Sequence, residues 1–190
     1  MEQSIVEVIP GVFKLKSEIY EDGRGHFRIL HNLSKFAPSN WYQDCMSASK
    51  KNVIRGLHWQ HDPPLTKLVS VINGSILDVL VDLRDGLDYG KVTTLRLDKT
   101  EQLFIPPLIA HGFAALDDNT IVHYKFSHKH NPNAEECINA FCPRLAIDWG
   151  ISKEDAILSE RDTKGLTMEE WEDPWRLMPG VDDKRILKKY

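Results

Sequence analysis

Lys67-Leu-Val-Ser-Val-Ile-Asn-Gly-Ser-Ile-Leu-Asp-Val-Leu-Val-Asp-Leu83 sets Asn73-Gly74 between two runs rich in β-branched residues. Asn-Gly accepts the positive φ angles of a tight hairpin turn, and the flanking runs suit a pleated, buried surface. The same texture extends downstream. Val92, Thr94 and Arg96 alternate with Thr93, Leu95 and Leu97. Gln102 to Pro106 is a short strand stopped by Pro106-Pro107. From Thr120 to Phe126, Val122, Tyr124 and Phe126 share one face, and Ile121, His123 and Lys125 share the other. Leu145 to Trp149 is a further apolar strand. Turn residues punctuate the chain every eight to twelve positions or so, the spacing of an all-β barrel or sandwich. After Gly150 the texture changes. Ser152 is placed to cap one helix, and Thr167-Met-Glu-Glu-Trp171 starts another with carboxylates in its first turn. Asp182 to Tyr190 is highly charged and expected to be exposed. The reading is one domain over 1–190, all-β, with 150–190 as a helical or irregular C-terminal segment.

Composition narrows the function. A chain of 190 residues can bury a full core. A net charge of −4 gives no basic field for nucleic acid, so an anionic ligand requires a local basic pocket. No apolar run approaches the ~18 residues of a membrane span. The polar start at Met1-Glu2-Gln3-Ser4 has no signal-peptide pattern. Cys45, Cys137 and Cys142 are odd in number and lack a disulfide framework, as in reduced thiols of the cytoplasm. Gly-rich phosphate loops and a Gly-x-Ser-x-Gly elbow are absent.

Asn52-Val-Ile-Arg-Gly-Leu-His-Trp-Gln60 carries the chemistry. An imidazole titrates near neutral pH, and a guanidinium clamps phosphate. In a regular strand His58 aligns with Ile54 and Gly56, whereas Arg55 faces the other way with Leu57 and Trp59. Both can serve one ligand only if the strand is bulged near Gly56 or Arg55 reaches outside its own cavity. Alone, His58 is either a satisfied core histidine or a base. Lys67 is either an edge charge or a cation that stabilises an oxyanion. Tyr124 is a core tyrosine or a proton donor. His111 stands at a strand start. Asp162 is a loop carboxylate, a helix cap or the group that orients a histidine. His58 and His61 have the wrong spacing for one metal, and no His-x-His pair precedes a glutamate, so no metal is expected.

These pieces occur in one order: Asp22-Gly-Arg24-Gly-His-Phe27, Lys51-Asn-Val-Ile-Arg55-Gly-Leu-His58-Trp-Gln60, Lys67-Leu-Val, Gly74 to Arg84, Ile105-Pro, Ala110-His111-Gly-Phe113, Tyr124-Lys125 and Ser159-Glu-Arg-Asp162. Together they resemble the dTDP-4-dehydrorhamnose 3,5-epimerase family over roughly residues 5 to 165. The resemblance implies a cupin-type jelly roll, a homodimer, and no metal or redox cofactor. It implies His58 as general base paired with Asp162, Tyr124 as the opposing acid, and Lys67 on the enolate oxygen with help from His111. It also implies that Arg24 and Arg55 hold a diphosphate, that Gln43 lies near the nucleotide, and that Tyr20 or Phe27 stacks on the base. The substrate class would be a nucleotide-linked 4-keto-6-deoxyhexose. Epimerising a carbon beside a ketone needs such a set: a base near neutrality, a cation at the carbonyl oxygen and a proton source on the opposite face.

Three places depart from the family pattern. Arg28-Ile29 follow Phe27 where a glutamate is usual. Cys45 replaces an asparagine after Gln43-Asp44. His130-Asn131-Pro132 replaces a Tyr-Ser-Pro stretch. All three are expected near nucleotide or sugar. They leave open a single-centre epimerase or ketoisomerase acting on a CDP, GDP or UDP sugar, and a non-catalytic sugar-nucleotide-binding cupin.

Overall fold

The structure is a computed structural model that describes residues 4–30 and 40–172. Thirteen strands appear: β1 (Ile5–Ile9), β2 (Val12–Lys16), β3 (Ile19–Asp22), β4 (Gly25–Arg28), β5 (Gln43–Ser49), β6 (Ile54–Gln60), β7 (Lys67–Asn73), β8 (Ser75–Asp82), β9 (Val92–Asp98), β10 (Glu101–Ile105), β11 (Ile109–Ala115), β12 (Thr120–Phe126) and β13 (Glu135–Cys137). Two short helices follow, α1 (Glu160–Thr163) and α2 (Met168–Glu172). A six-stranded sheet runs β1-β2-β10-β7-β12-β5 and a five-stranded sheet runs β13-β6-β11-β8-β9, with antiparallel neighbours throughout. Among the described residues, β3 and β4 pair only with each other. No helix among the described residues is long and apolar enough to cross a membrane.

Asn73-Gly74 turns the chain but does not close the hairpin expected from the sequence: β7 and β8 do not pair, and the turn passes from the six-stranded sheet (β7) to the five-stranded one (β8). Val69, Val71, Leu103, Ile105 and Val122 face Ile76, Leu80, Leu97, Ile109 and Phe113 across the sandwich. The five-stranded sheet has a second apolar face. There Ile54, Leu57, Trp59, Val79, Val81 and Ala114 pack under Ile138, Ala140, Leu145, Trp149 and Met168. Burial on both faces explains why Ser75 to Leu83 reads as a nearly continuous apolar run rather than a strict alternation.

This outer layer corrects two sequence expectations. Leu145 to Trp149 is not a strand. It turns at Cys142, whose carbonyl accepts from Leu145 N at 3.1 Å and Ala146 N at 3.3 Å, and Trp149 Nε1 donates to Ala140 O at 2.7 Å. Its apolar residues cover a sheet face instead of extending an edge. Ser152 does cap, its Oγ accepting from Asp155 N at 3.1 Å, but only a single turn follows, and Ile157 is drawn into a bridge with Val53. The helix at Thr167 forms as expected. Asp182 to Tyr190 lies outside the described residues.

β6 is bulged. His111 pairs with His58 and Phe113 pairs with Arg55, so Gly56 and Leu57 together oppose the single residue Gly112. The extra residue reverses the alternation, which puts Arg55 and His58 on the same inward face while Ile54, Leu57 and Trp59 face the outer layer. Only glycine fits at the bulge. Gly56 has φ +121°, and a Cβ there would lie 2.5 Å from Gly112 Cα and 2.7 Å from His111 O, both backbone atoms. Gly56→Ala is therefore expected to cost about 3 kcal/mol of stability in denaturant unfolding, from backbone strain and overpacking together. Wild-type stability in that variant would show that the bulge does not depend on glycine.

Candidate active site

Between the sheets lies an open cavity of about 320 Å³. The five-stranded sheet supplies Arg55, His58, His111 and Glu135, and the six-stranded sheet supplies Cys45, Ser47, Lys67 and Tyr124. A ligand in the cavity therefore has His58 on one wall and Tyr124 on the other.

His58 Nε2 stands 2.5 Å from Asp162 Oδ1. Asp162 is 3% exposed, yet fully engaged. Ser159 caps α1 by accepting from Asp162 N at 3.1 Å, and its hydroxyl donates to Asp162 Oδ2 at 2.8 Å. The Cys137 thiol lies 3.7 Å from Oδ1. Burial pushes the Asp162 carboxyl up, but hydrogen bonds from His58 and Ser159 outweigh it and hold the group below the usual carboxylate range. Asp162 thus stays ionised and fixes the ring of His58 with a charge-assisted bond. The Cys137 thiol is pushed up to about 12, first by burial and then by the Asp162 charge, so it remains protonated at neutral pH.

Lys67 opens β7 and points inward; its Nζ donates to His58 O at 3.1 Å. Burial lowers it to about 8, against the opposing pull of the Glu135 and Asp78 charges. At neutral pH it is a charged but poorly solvated ammonium, the state that gains most from a developing anion nearby. His111 Nε2 lies 2.7 Å from Asp78 Oδ2, and both side chains are buried. On the facing wall Tyr124 OH shares a 2.9 Å hydrogen bond with Ser47 Oγ. Burial pushes the phenol up to about 12, so it holds its proton until a stronger base appears. Arg55 is steadied by Ser49 Oγ at 3.0 Å and Ala48 O at 3.2 Å.

The cavity brings together His58, Asp162, Lys67, Tyr124, His111 and Arg55. It does not include the other four expected residues. Arg24, Tyr20 and Phe27 lie on the β3–β4 hairpin around a separate surface hollow. Arg24 is exposed and paired with Asp22 at 2.6 Å, and Tyr20 and Phe27 have ring centroids 6.3 Å apart. Gln43 sits behind the cavity wall. It accepts from His130 N at 2.8 Å and approaches Cys45 Sγ at 3.3 Å, so it supports two lining residues instead of lining the cavity itself.

Several participants escape a reading of the sequence. Ser47 and Glu135 carry no local signal, because each matters only through a partner distant in the chain. Arg161 Nη1 lies 2.5 Å from Glu135 Oε2, and His130 Nε2 lies 3.2 Å from Glu135 Oε1. Ser159 was detectable, since Ser-x-x-Asp is a capping-box spacing.

Comparison with known proteins agrees with this geometry. The family model for dTDP-4-dehydrorhamnose 3,5-epimerase matches residues 7–170. A protein of that name from Methanothermobacter thermautotrophicus is 40% identical over 162 residues, covering 81% of this chain and 88% of its own. A dTDP-4-dehydrorhamnose 3-epimerase from Streptomyces niveus is 33% identical, covering 87% and 83%. Among solved structures, dTDP-6-deoxy-D-glucose-3,5-epimerase from Legionella pneumophila in complex with dTDP-4-keto-L-rhamnose aligns with a TM-score of 0.82 at 30% identity, covering 88% of this chain and 94% of that one. With its bulged His58 strand, its facing Tyr124 and two sheets that superpose on those neighbours, the chain belongs to the dTDP-4-dehydrorhamnose 3,5-epimerase family of isomerases.

Proposed function

We propose that the protein epimerises dTDP-4-dehydro-6-deoxy-D-glucose at C3 and C5, giving dTDP-4-dehydro-L-rhamnose. The observation that carries this reading is the carboxylate-backed His58 facing Tyr124 across a cavity that also holds the buried Lys67. His58 removes the proton from the carbon next to the ketone. The electron pair moves onto the 4-keto oxygen, where Lys67 and His111 stabilise the enolate. Tyr124 returns a proton from the opposite face, which inverts the centre. The ketone acidifies C3 and C5 alike, so one set of groups serves both. The reaction is redox-neutral and requires no electron carrier. Arg55 binds the diphosphate and supplies binding energy remote from the reacting carbon.

A homodimer completes the reading. Arg24, Tyr20 and Phe27 stand on a hairpin that joins neither large sheet, with Phe27 65% exposed. A second copy that lends this hairpin to the cavity would add a guanidinium for the diphosphate and aromatic faces for the base. Sedimentation of the full chain as a monomer contradicts this part of the proposal. The three cysteines are free thiols, which fits action in the cytoplasm.

One observation favours a second reading. The relative from Streptomyces niveus is named a 3-epimerase, and Cys45 and His130 change the cavity wall, so single-centre epimerisation on this scaffold is the alternative. Incubation with dTDP-, CDP-, UDP- and GDP-linked 4-keto-6-deoxyglucose, in the presence of a chelator, tests both. The dTDP sugar is expected to turn over fastest and to change at both centres. Turnover of another nucleotide alone, or of none, contradicts the proposal.

Tyr124→Phe is expected to separate the two half-reactions. Proton removal, read as deuterium exchange into substrate, continues, while inverted product at C5 falls by about 100-fold or more, the range for loss of a general acid. Equal loss of exchange and product would place Tyr124 elsewhere in the mechanism.

A further inference from the structure

We propose that the catalytic base doubles as an inhibitory site for soft divalent metals, with His58 Nε2, Cys137 Sγ and Asp162 Oδ1 binding zinc or cadmium. Among the described residues, one donor atom from each of these three side chains lies within 4.8 Å of the other two. Three separate elements fix them. Cys137 on β13 is the cross-strand partner of His58 on β6. Asp162 rises from α1, tied down by the Ser159 cap. One imidazole, one thiolate and one carboxylate, with a fourth position left open, is a donor set that zinc favours. Here the open position faces the cavity.

The separations of the Asp162 carboxylate from the other two donors are near what the ion needs. With zinc bonds of about 2.0 Å to nitrogen or oxygen and 2.3 Å to sulfur, tetrahedral donors stand roughly 3.3–3.5 Å apart. The Cys137 Sγ to Asp162 Oδ1 separation is already 3.7 Å. The His58–Asp162 contact of 2.5 Å needs to open by less than about 1 Å, a side-chain movement. The thiolate and Asp162 neutralise a divalent ion. Of the nearby cations, Arg161 pairs with Glu135, and Lys67 lies in the field of Glu135 and Asp78. Binding releases the thiol proton to solvent as the Cys137 sulfur bonds to the metal. Binding at Nε2 also breaks the His58–Asp162 bond and displaces the proton that Nε2 donates there; that proton moves to Nδ1 and fills the lone pair the neutral ring had free. The base then has no electron pair for the substrate proton.

The inhibition half of this inference rests on the proposed epimerase activity, whereas the binding half does not. The test is cadmium titration of the full chain, followed through the ultraviolet thiolate-to-cadmium charge-transfer band. Cys45→Ser controls for the thiol that lines the cavity. Wild type and Cys45→Ser are expected to give a band that saturates at one equivalent. Cys137→Ser and Cys137→Gly are expected to give none, and His58→Asn to need on the order of 100-fold more cadmium. In zinc-buffered assays wild type is expected to lose turnover and to regain it on chelation. Cys137→Gly, compared with its own zinc-free rate, should need on the order of 100-fold more zinc. A band that persists in both Cys137 variants, a wild type without a band, or zinc that arrests wild type and Cys137→Gly alike overturns the proposal. A wild-type band in a protein that turns over no nucleotide sugar supports the metal site and overturns the epimerase reading.

Discussion

His58→Ala is expected to stop the incorporation of solvent deuterium next to the ketone and to lower kcat by about 10³–10⁴-fold, the upper range for loss of general-base catalysis. The structure gives specific grounds for so large an effect. His58 is set by the bulge at Gly56, oriented by a carboxylate at 2.5 Å, and directed into the cavity that Tyr124 lines from the facing sheet. Two other imidazoles, His111 bonded to Asp78 and His130 paired with Glu135, also line the cavity, and the His58→Ala result distinguishes His58 from them as the base. Asp162→Asn leaves the ring present and removes the charge that orients it. A smaller loss is therefore expected there, with exchange slowed and not abolished. Deuterium exchange at the wild-type rate in His58→Ala would mean that another group removes the proton.

Lys67→Met is expected to lower kcat by about 10²–10³-fold, the cost of removing one preorganised stabiliser of an oxyanion. The near-isosteric methionine keeps the packing and deletes the charge, so the fold should survive. The variant also carries a pH signature. Because burial holds Lys67 at about 8, the ammonium is lost as pH rises through that value, and wild-type kcat/KM should fall there. Lys67→Met should lack this limb. Stability moves the other way. The unfolded lysine titrates near 10.5 and the folded one near 8, so between these values the unfolded chain binds more protons and stability rises with pH. Below pH 8 the wild type bears the full cost of a buried cation. Lys67→Met is therefore expected to be the more stable protein at pH 7, with the gap closing from pH 8 to 10.5. Denaturant unfolding across that range checks it, and a gap that widens would contradict a buried, charged Lys67.

Local patterns in the sequence carried the sandwich a long way. The turn at Asn73-Gly74 and the alternation at Val122, Tyr124 and Phe126 depend only on neighbours in the chain and appear as read, but the strands flanking the turn join different sheets instead of pairing as a hairpin, because strand pairing is set by distant segments. Strands β1 to β4 have only four or five residues, and in β5 small and polar residues dilute the alternation, so these strands left little signal. Leu145 to Trp149 misled because an apolar run says that a segment is buried, not whether it pairs as a strand or lies across a sheet. The site shows the same division. His58, Lys67, Tyr124 and Asp162 were nameable from type and motif, whereas their supports Ser47 and Glu135 arise from pairings between distant strands. The Arg55–His58 conflict is the instructive case. Strict period-two reasoning put them on opposite faces, and the inconsistency itself pointed to the bulge that the backbone contains.

The central claim is that two carbons flanking one ketone exchange protons with solvent through His58 and Tyr124. Incubation of the wild-type protein with dTDP-4-dehydro-6-deoxy-D-glucose in deuterium oxide, read by NMR and mass, tests it most directly. The account predicts inverted product carrying one deuteron at C3 and one at C5. Recovered sugar with no deuterium at either carbon would contradict it.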